Sequence, residues 1–149
     1  MRYPLFLLPA LAAAAPAMAD NRATCLSTGT PPAVAIPACT ALIDEDRDSP
    51  VDLAKAVVNR AFAYLSSGQP DLAIADATRA IRIKPDYAFA FNLRGIAEAD
   101  KGLNERAVAD FSQAIYLKPD YADALFNRGN RYLGDGAKDP SALDRAIAD

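Results

Sequence analysis

AFAFNLRGIAEADKGLNERAVADFSQAIYLKPDY, residues 88–121, restates the 34 residues before it almost position by position. Ala54-Lys55-Ala56-Val57-Val58-Asn59-Arg60-Ala61 stands over Ala88-Phe89-Ala90-Phe91-Asn92-Leu93-Arg94-Gly95, and both stand over Ala122-Asp123-Ala124-Leu125-Phe126-Asn127-Arg128-Gly129. The second halves agree at the same offset. Leu72 to Ile81 matches Arg106 to Ile115, and Lys84-Pro85-Asp86-Tyr87 matches Lys118-Pro119-Asp120-Tyr121. A fixed period of this length indicates stacked units, each burying its apolar face against its neighbour, rather than one closed core.

Each unit reads as a helix hairpin. Gly68 and Gly102 fall about midway, where one helix must stop and the chain must turn. Pro85 and Pro119 end the units and bias Lys84 and Lys118 away from helical geometry. Ala73, Ala77 and Ala80 fall on one face of the second helix, and Ala107, Phe111 and Ala114 repeat the spacing. Small side chains there let two helices approach closely, and Phe111 is expected to fill the gap between units. Ser49-Pro50-Val51-Asp52 starts the array: Ser49 can cap, Pro50 suits the first helical position, and Asp52 can complete a capping box.

The spacing and residue types resemble the tetratricopeptide repeat. That family's small eighth residue corresponds to Ala61, Gly95 and Gly129, its twentieth to Ala73 and Ala107, and its late proline to Pro85 and Pro119. The resemblance covers residues 54–149, as units 54–87, 88–121 and an incomplete 122–149 within an array running over 49–149. It implies an all-α fold, a right-handed α-solenoid whose first helices line a concave groove for protein or peptide partners. Two departures stand out. Tyr64 and Tyr132 occupy a position that is usually large and apolar, whereas the second unit has Glu98, expected either to disturb packing or to place a charge in the groove. The third unit carries extra residues around Gly134 to Pro140, and after Leu143 to Asp149 no polar helix follows to cap the array. That end raises two expectations: a fragment of a longer protein, such as an enzyme with these repeats as its adaptor region, or an uncapped unit that self-associates.

Upstream, residues 20–48 hold both cysteines. Ala35 to Ile43 echoes the second helix of a unit, with Cys39 where Phe111 stands, and is expected to form a half-repeat behind an extended leading strand. Residues 26–38 contain Gly29, Pro31, Pro32 and Pro37 and cannot form one continuous helix. A Cys25–Cys39 disulfide would fasten that segment and contribute roughly 3 kcal/mol in the chain-entropy model. A redox-active pair is the alternative, although such pairs usually have closer spacing. Residues 1–19 read as a signal peptide: Arg2, an apolar run broken by Pro4, Pro9 and Pro16, and Ala17-Met18-Ala19 as the cleavage site. Export to a periplasm, or secretion, follows as an expectation, without stable membrane insertion.

Composition narrows the function. With no histidine, a Ser-His or Cys-His catalytic pair cannot be built, and two cysteines do not make a structural zinc site. No glycine-rich phosphate loop is present, and no cofactor, metal or catalytic residue is expected. The net charge of −3 argues against nucleic acid. The groove candidates are Lys55, Val58, Asn59, Phe62, Phe89, Asn92, Phe126, Asn127 and Asn130. In tetratricopeptide domains that clamp a terminal carboxylate, groove Asn and basic residues bind it; Asn59 and Asn127 match the Asn position, but Val58 and Phe126 stand where a lysine is expected. The competing expectation for Asn59-Arg60, Asn92, Arg94 and Asn127-Arg128 is structural, the Asn-Arg pairs stabilising the turn between stacked units with the arginine stems lying on apolar surface.

Overall fold

The computed structural model describes residues 21–45 and 49–135. Residues 21–26 form α1. After it come α2 (Pro32–Asp44), α3 (Pro50–Ser66), α4 (Pro70–Ile83), α5 (Ala88–Asp100), α6 (Asn104–Leu117) and α7 (Ala122–Asp135). The described residues contain no strand. Each helix from α2 onward packs on the next along the chain, and α5 also touches α3 and α7, so these odd-numbered helices line one side of the stack. The architecture is an α-solenoid of helix hairpins. The expected signal segment and residues 136–149 lie outside the described residues.

The hairpin turns are built as the glycines require. Gly68 and Gly102 have φ of 73° and 74°, a region open to glycine at little steric cost. Gln69 then donates its N–H to Tyr64 O at 2.9 Å, and Leu103 donates to Glu98 O at 2.9 Å, the six-to-one bond that closes a helix end. Ser49 accepts the Asp52 N–H at 3.2 Å as the cap of α3, and its hydroxyl donates to the Asp52 carboxylate at 3.0 Å. Asp52 therefore answers the cap through the Ser49 hydroxyl.

Residues 21–45 depart from the half-repeat expectation. The leading segment is helical over 21–26, not an extended strand, and Gly29 turns the chain with φ of 80°, as Gly68 and Gly102 do. The α1–α2 pair is therefore a hairpin like those after it. The break between Leu26 and Ala38 falls where the prolines demand, with Pro32 opening α2 and Pro37 tolerated on its exposed side. Cys25 and Cys39 are joined by a disulfide with a Cα–Cα distance of 4.8 Å, and both are buried in the core beside Leu42 and Val57.

Helix contact is close because the facing residues are small. Ala61, Ala73, Ala77, Ala97 and Ala107 are fully buried. Phe111 is buried against Gly95 of its own hairpin: a Cβ at Gly95 would lie 2.7 Å from Phe111 Cε1 and 3.1 Å from Ala107 O. The register explains the choice. Where unit 54–87 has Ala61 and Ala77, unit 88–121 has Gly95 and Phe111, so the volume lost on the first helix reappears on the second.

Candidate functional site: the groove along the odd-numbered helices

The three register-matched arginines come first, because their partners decide what remains for a ligand. Arg60 on α3 makes a two-pronged ion pair with Asp76 on α4, Nε to Oδ2 at 2.7 Å and Nη2 to Oδ1 at 2.9 Å. Its third donor reaches back to Thr40 Oγ1 on α2 at 3.0 Å. Arg94 repeats the device with Asp110 at 2.6 and 2.8 Å and with Thr78 at 3.3 Å, and Arg128 donates to Ser112 at 3.1 Å. Each arginine thus ties its own hairpin to the preceding one. The arginines are therefore structural, but they bridge helices instead of bracing the turn between units, and this removes their guanidinium groups from the groove. Asp76 and Asp110 are the helix-to-helix partners.

Glu98 is not a groove charge. It is 2% exposed, lies between α5 and α6, and takes an ion pair from Arg106 at 2.6 Å. Burial and the neighbouring Asp110 carboxylate raise its pKa above the ordinary value, against the opposing pull of Arg106 and Arg94.

Two adjoining hollows run along the odd-numbered helices. The first, about 270 Å³, is bounded by the 26–30 turn, Asn59, Phe62 and Phe89. The second, about 230 Å³, shares Phe62 and Phe89 and extends over Ile96 to Asp123, Phe126 and Asn127. Phe62 and Phe126 are 53% and 69% exposed, an unusual state for phenylalanine. Among the described residues, Asp123 is the one charged side chain in the walls of the two hollows.

Of the sequence candidates, Asn59, Phe62, Phe89, Asn92, Phe126 and Asn127 border these hollows. Val58 does not: it is 0% exposed, held in the core cluster that includes Cys25 and Leu42, and no ligand reaches it. Lys55 is exposed and pairs with Asp52 at 3.5 Å, and neither it nor Asn130 borders a hollow. The asparagines have internal duties too. Asn59 Nδ2 donates to Cys25 O at 2.9 Å, and Asn127 Nδ2 donates to Asn92 Oδ1 at 3.1 Å, with Asn92 itself buried. Ile96 and Asp123 join the walls without having been sequence candidates, although the period locates them. Phe62, Ile96 and Asn130 share one repeat position, and Lys55, Phe89 and Asp123 share another.

Comparison with known proteins agrees with this geometry. A tetratricopeptide-repeat model matches residues 54–87, and a second TPR-repeat model matches residues 95–136. These are tetratricopeptide repeats. A search of curated proteins finds no significant match. Among solved structures, MamA is similar at 23% identity and a TM-score of 0.71, over 88% of this chain and 75% of that one. The second TPR domain of human RPAP3, in complex with the HSP70 peptide SGPTIEEVD, is 27% identical with a TM-score of 0.65, over 78% and 93% of the two chains. The first TPR of Spaghetti (RPAP3), bound to the HSP90 peptide SRMEEVD, is 23% identical with a TM-score of 0.67, over 80% and 91%.

Proposed function

We propose that this chain is an exported protein-interaction scaffold that holds a peptide segment of a partner in the groove along its odd-numbered helices. The observation carrying this reading is the pair of adjoining hollows edged by Phe62, Phe89 and Phe126, a contiguous apolar surface that a soluble fold rarely leaves open. Peptide binding by the RPAP3 domains on the same fold supports it. The tetratricopeptide array acts here by presenting a rigid surface, not by catalysis. Hollows lined mainly by Phe, Leu, Asn and the Ser and Thr of the 26–30 turn offer packing and hydrogen bonds, and the sequence has no histidine to serve as a base beside a hydroxyl.

The proposed compartment is a periplasm. The n-region, apolar run and Ala-x-Ala site of residues 1–19 support it, and so does a buried Cys25–Cys39 disulfide, a bond that persists in oxidising compartments. No helix among the described residues is long and apolar enough to cross a membrane. Osmotic-shock fractionation with intact-mass measurement tests export: a species beginning at Asp20 in the shock fluid is expected, and unprocessed protein in the cytosol would contradict it. Phe62→Ser with Phe126→Ser tests the groove. The double variant is expected to lose its partner in cross-linking while keeping its helix content, and undiminished cross-linking would move the site elsewhere.

A further inference from the structure

Resting on the groove as the binding site, we infer that it selects internal apolar segments that carry a basic residue, and makes no use of a free carboxyl terminus. Three observations converge. The first is the fate of the cations. Arg60 and Arg94 are consumed by Asp76 and Asp110, Arg128 bonds Ser112, Lys55 pairs with Asp52, and Lys101 pairs with Asp71. Among the described residues, no Lys or Arg stands in the wall of either hollow. A carboxylate entering there would lose its hydration with no cation to replace it, a cost that nothing in the wall offsets.

The second observation is the sign of the charge that is present. Asp123 borders the second hollow beside Phe126 and Asn127. Burial, with the Asp123 carboxylate as the next cause, raises the pKa of the neighbouring Tyr121 hydroxyl, so the acid's field is felt locally. It favours a Lys or Arg on the ligand and opposes an acid. The third is the division of the groove. Phe62 and Phe89 belong to both hollows and stand between them as a shared wall. Neighbouring helices lie about 8–10 Å apart, and an extended chain rises about 3.3 Å per residue. Side chains of an extended chain alternate faces, so an extended ligand would seat two bulky apolar side chains two or four residues apart, one in each hollow. Asn59, Asn92 and Asn127 border the hollows, with the Asn59 and Asn127 Nδ2 groups already donating within the chain.

The specificity-determining residues are Phe126 and Asp123. Phe126 stands where a carboxylate-clamping groove would carry a lysine, and Asp123 supplies the opposite sign. The test is binding of the full chain to a library of synthetic ten-residue peptides, each made with a free acid and an amidated C-terminus, against the variants Phe126→Lys, Asp123→Asn and Phe62→Ser. The expected binders carry two apolar residues two or four apart and a Lys or Arg. Amidation changes their affinity less than about twofold, whereas an acidic residue in place of the basic one weakens it more than about tenfold. Asp123→Asn should narrow that gap, and Phe126→Lys should shift preference toward acidic peptides. Preference of the unmodified chain for acidic, free-carboxylate peptides that Phe62→Ser abolishes would overturn this inference while leaving the groove as the site. Binders indifferent to Phe62→Ser and Phe126→Lys would overturn both.

Discussion

Gly95→Ala with Phe111→Ala forms a double-mutant cycle that tests how the second hairpin closes. The added Cβ would lie 2.7 and 2.9 Å from two Phe111 ring carbons and 3.1 Å from Ala107 O. Phe111 is buried to 1% exposure, so its ring has little room to swing away, and Ala107 O is backbone. Alanine gains about 1 kcal/mol over glycine inside a helix, while overpacking costs about 1–3 kcal/mol. Gly95→Ala alone should therefore lose about 1 kcal/mol. Phe111→Ala alone should lose about 4 kcal/mol, the removed ring plus the cavity it leaves. Made together, the changes reproduce the Ala61 and Ala77 combination of the preceding unit, which is fully buried there. The clash disappears, the helix gain remains, and the new methyl fills part of the cavity. The pair should then lose about 2–3 kcal/mol instead of the additive sum of about 5 kcal/mol, a coupling of about 2 kcal/mol. Urea unfolding followed by far-ultraviolet circular dichroism reads all four proteins. Additivity within about 0.5 kcal/mol, or a Gly95→Ala protein more stable than its parent, would refute the volume-exchange argument.

Three further perturbations follow from the site geometry. Asp110→Ala strands the Arg94 guanidinium, and allowing for its partial exposure the loss should be about 2 kcal/mol in the same unfolding assay; no loss would mean the arginine ladder contributes nothing. Between the ordinary 4.5 and its raised folded value, the folded chain holds a proton on Glu98 that the unfolded chain has released. That contribution to stability is present below the ordinary 4.5 and is lost as pH rises above it. The melting temperature of the parent minus that of Glu98→Gln should accordingly fall as pH is raised from about 4 to 7, and a difference that is flat or rises would contradict the burial assignment. Reducing the Cys25–Cys39 disulfide, with a sequence separation of 14, should cost roughly 3 kcal/mol and should expose two thiols to alkylation seen by mass.

What the sequence made legible was whatever the period repeats. Gly68, Gly102, Pro85 and Pro119 mark the hairpin ends because glycine and proline act through local backbone geometry, which needs no knowledge of neighbours. The α1 helix was not legible for the opposite reason. Its six described residues have no apolar period of their own, and they are held by tertiary means: the disulfide to α2 and the Asn59 amide on Cys25 O. Val58 shows the limit of carrying a register across an array. The position is open at Phe126 but closed at Val58, because the first hairpin and its disulfide pack over that end of α3. Asp123 and Ile96 show the converse, since the repeat register by itself aligns Asp123 with Phe89 and Ile96 with Phe62, both groove positions. The roles of Asp76 and Asp110 needed the fold, since an acid on a helix face meets water or a partner according to what lies opposite it.

The most direct test of the central claim places a photo-activatable residue at Phe62 or Phe126 in the groove, or at Tyr116, which is 79% exposed on α6, as a control. The account predicts one foreign protein captured from both groove positions and absent from the Tyr116 control. Capture at Tyr116 alone, or no adduct from either groove position, would contradict it.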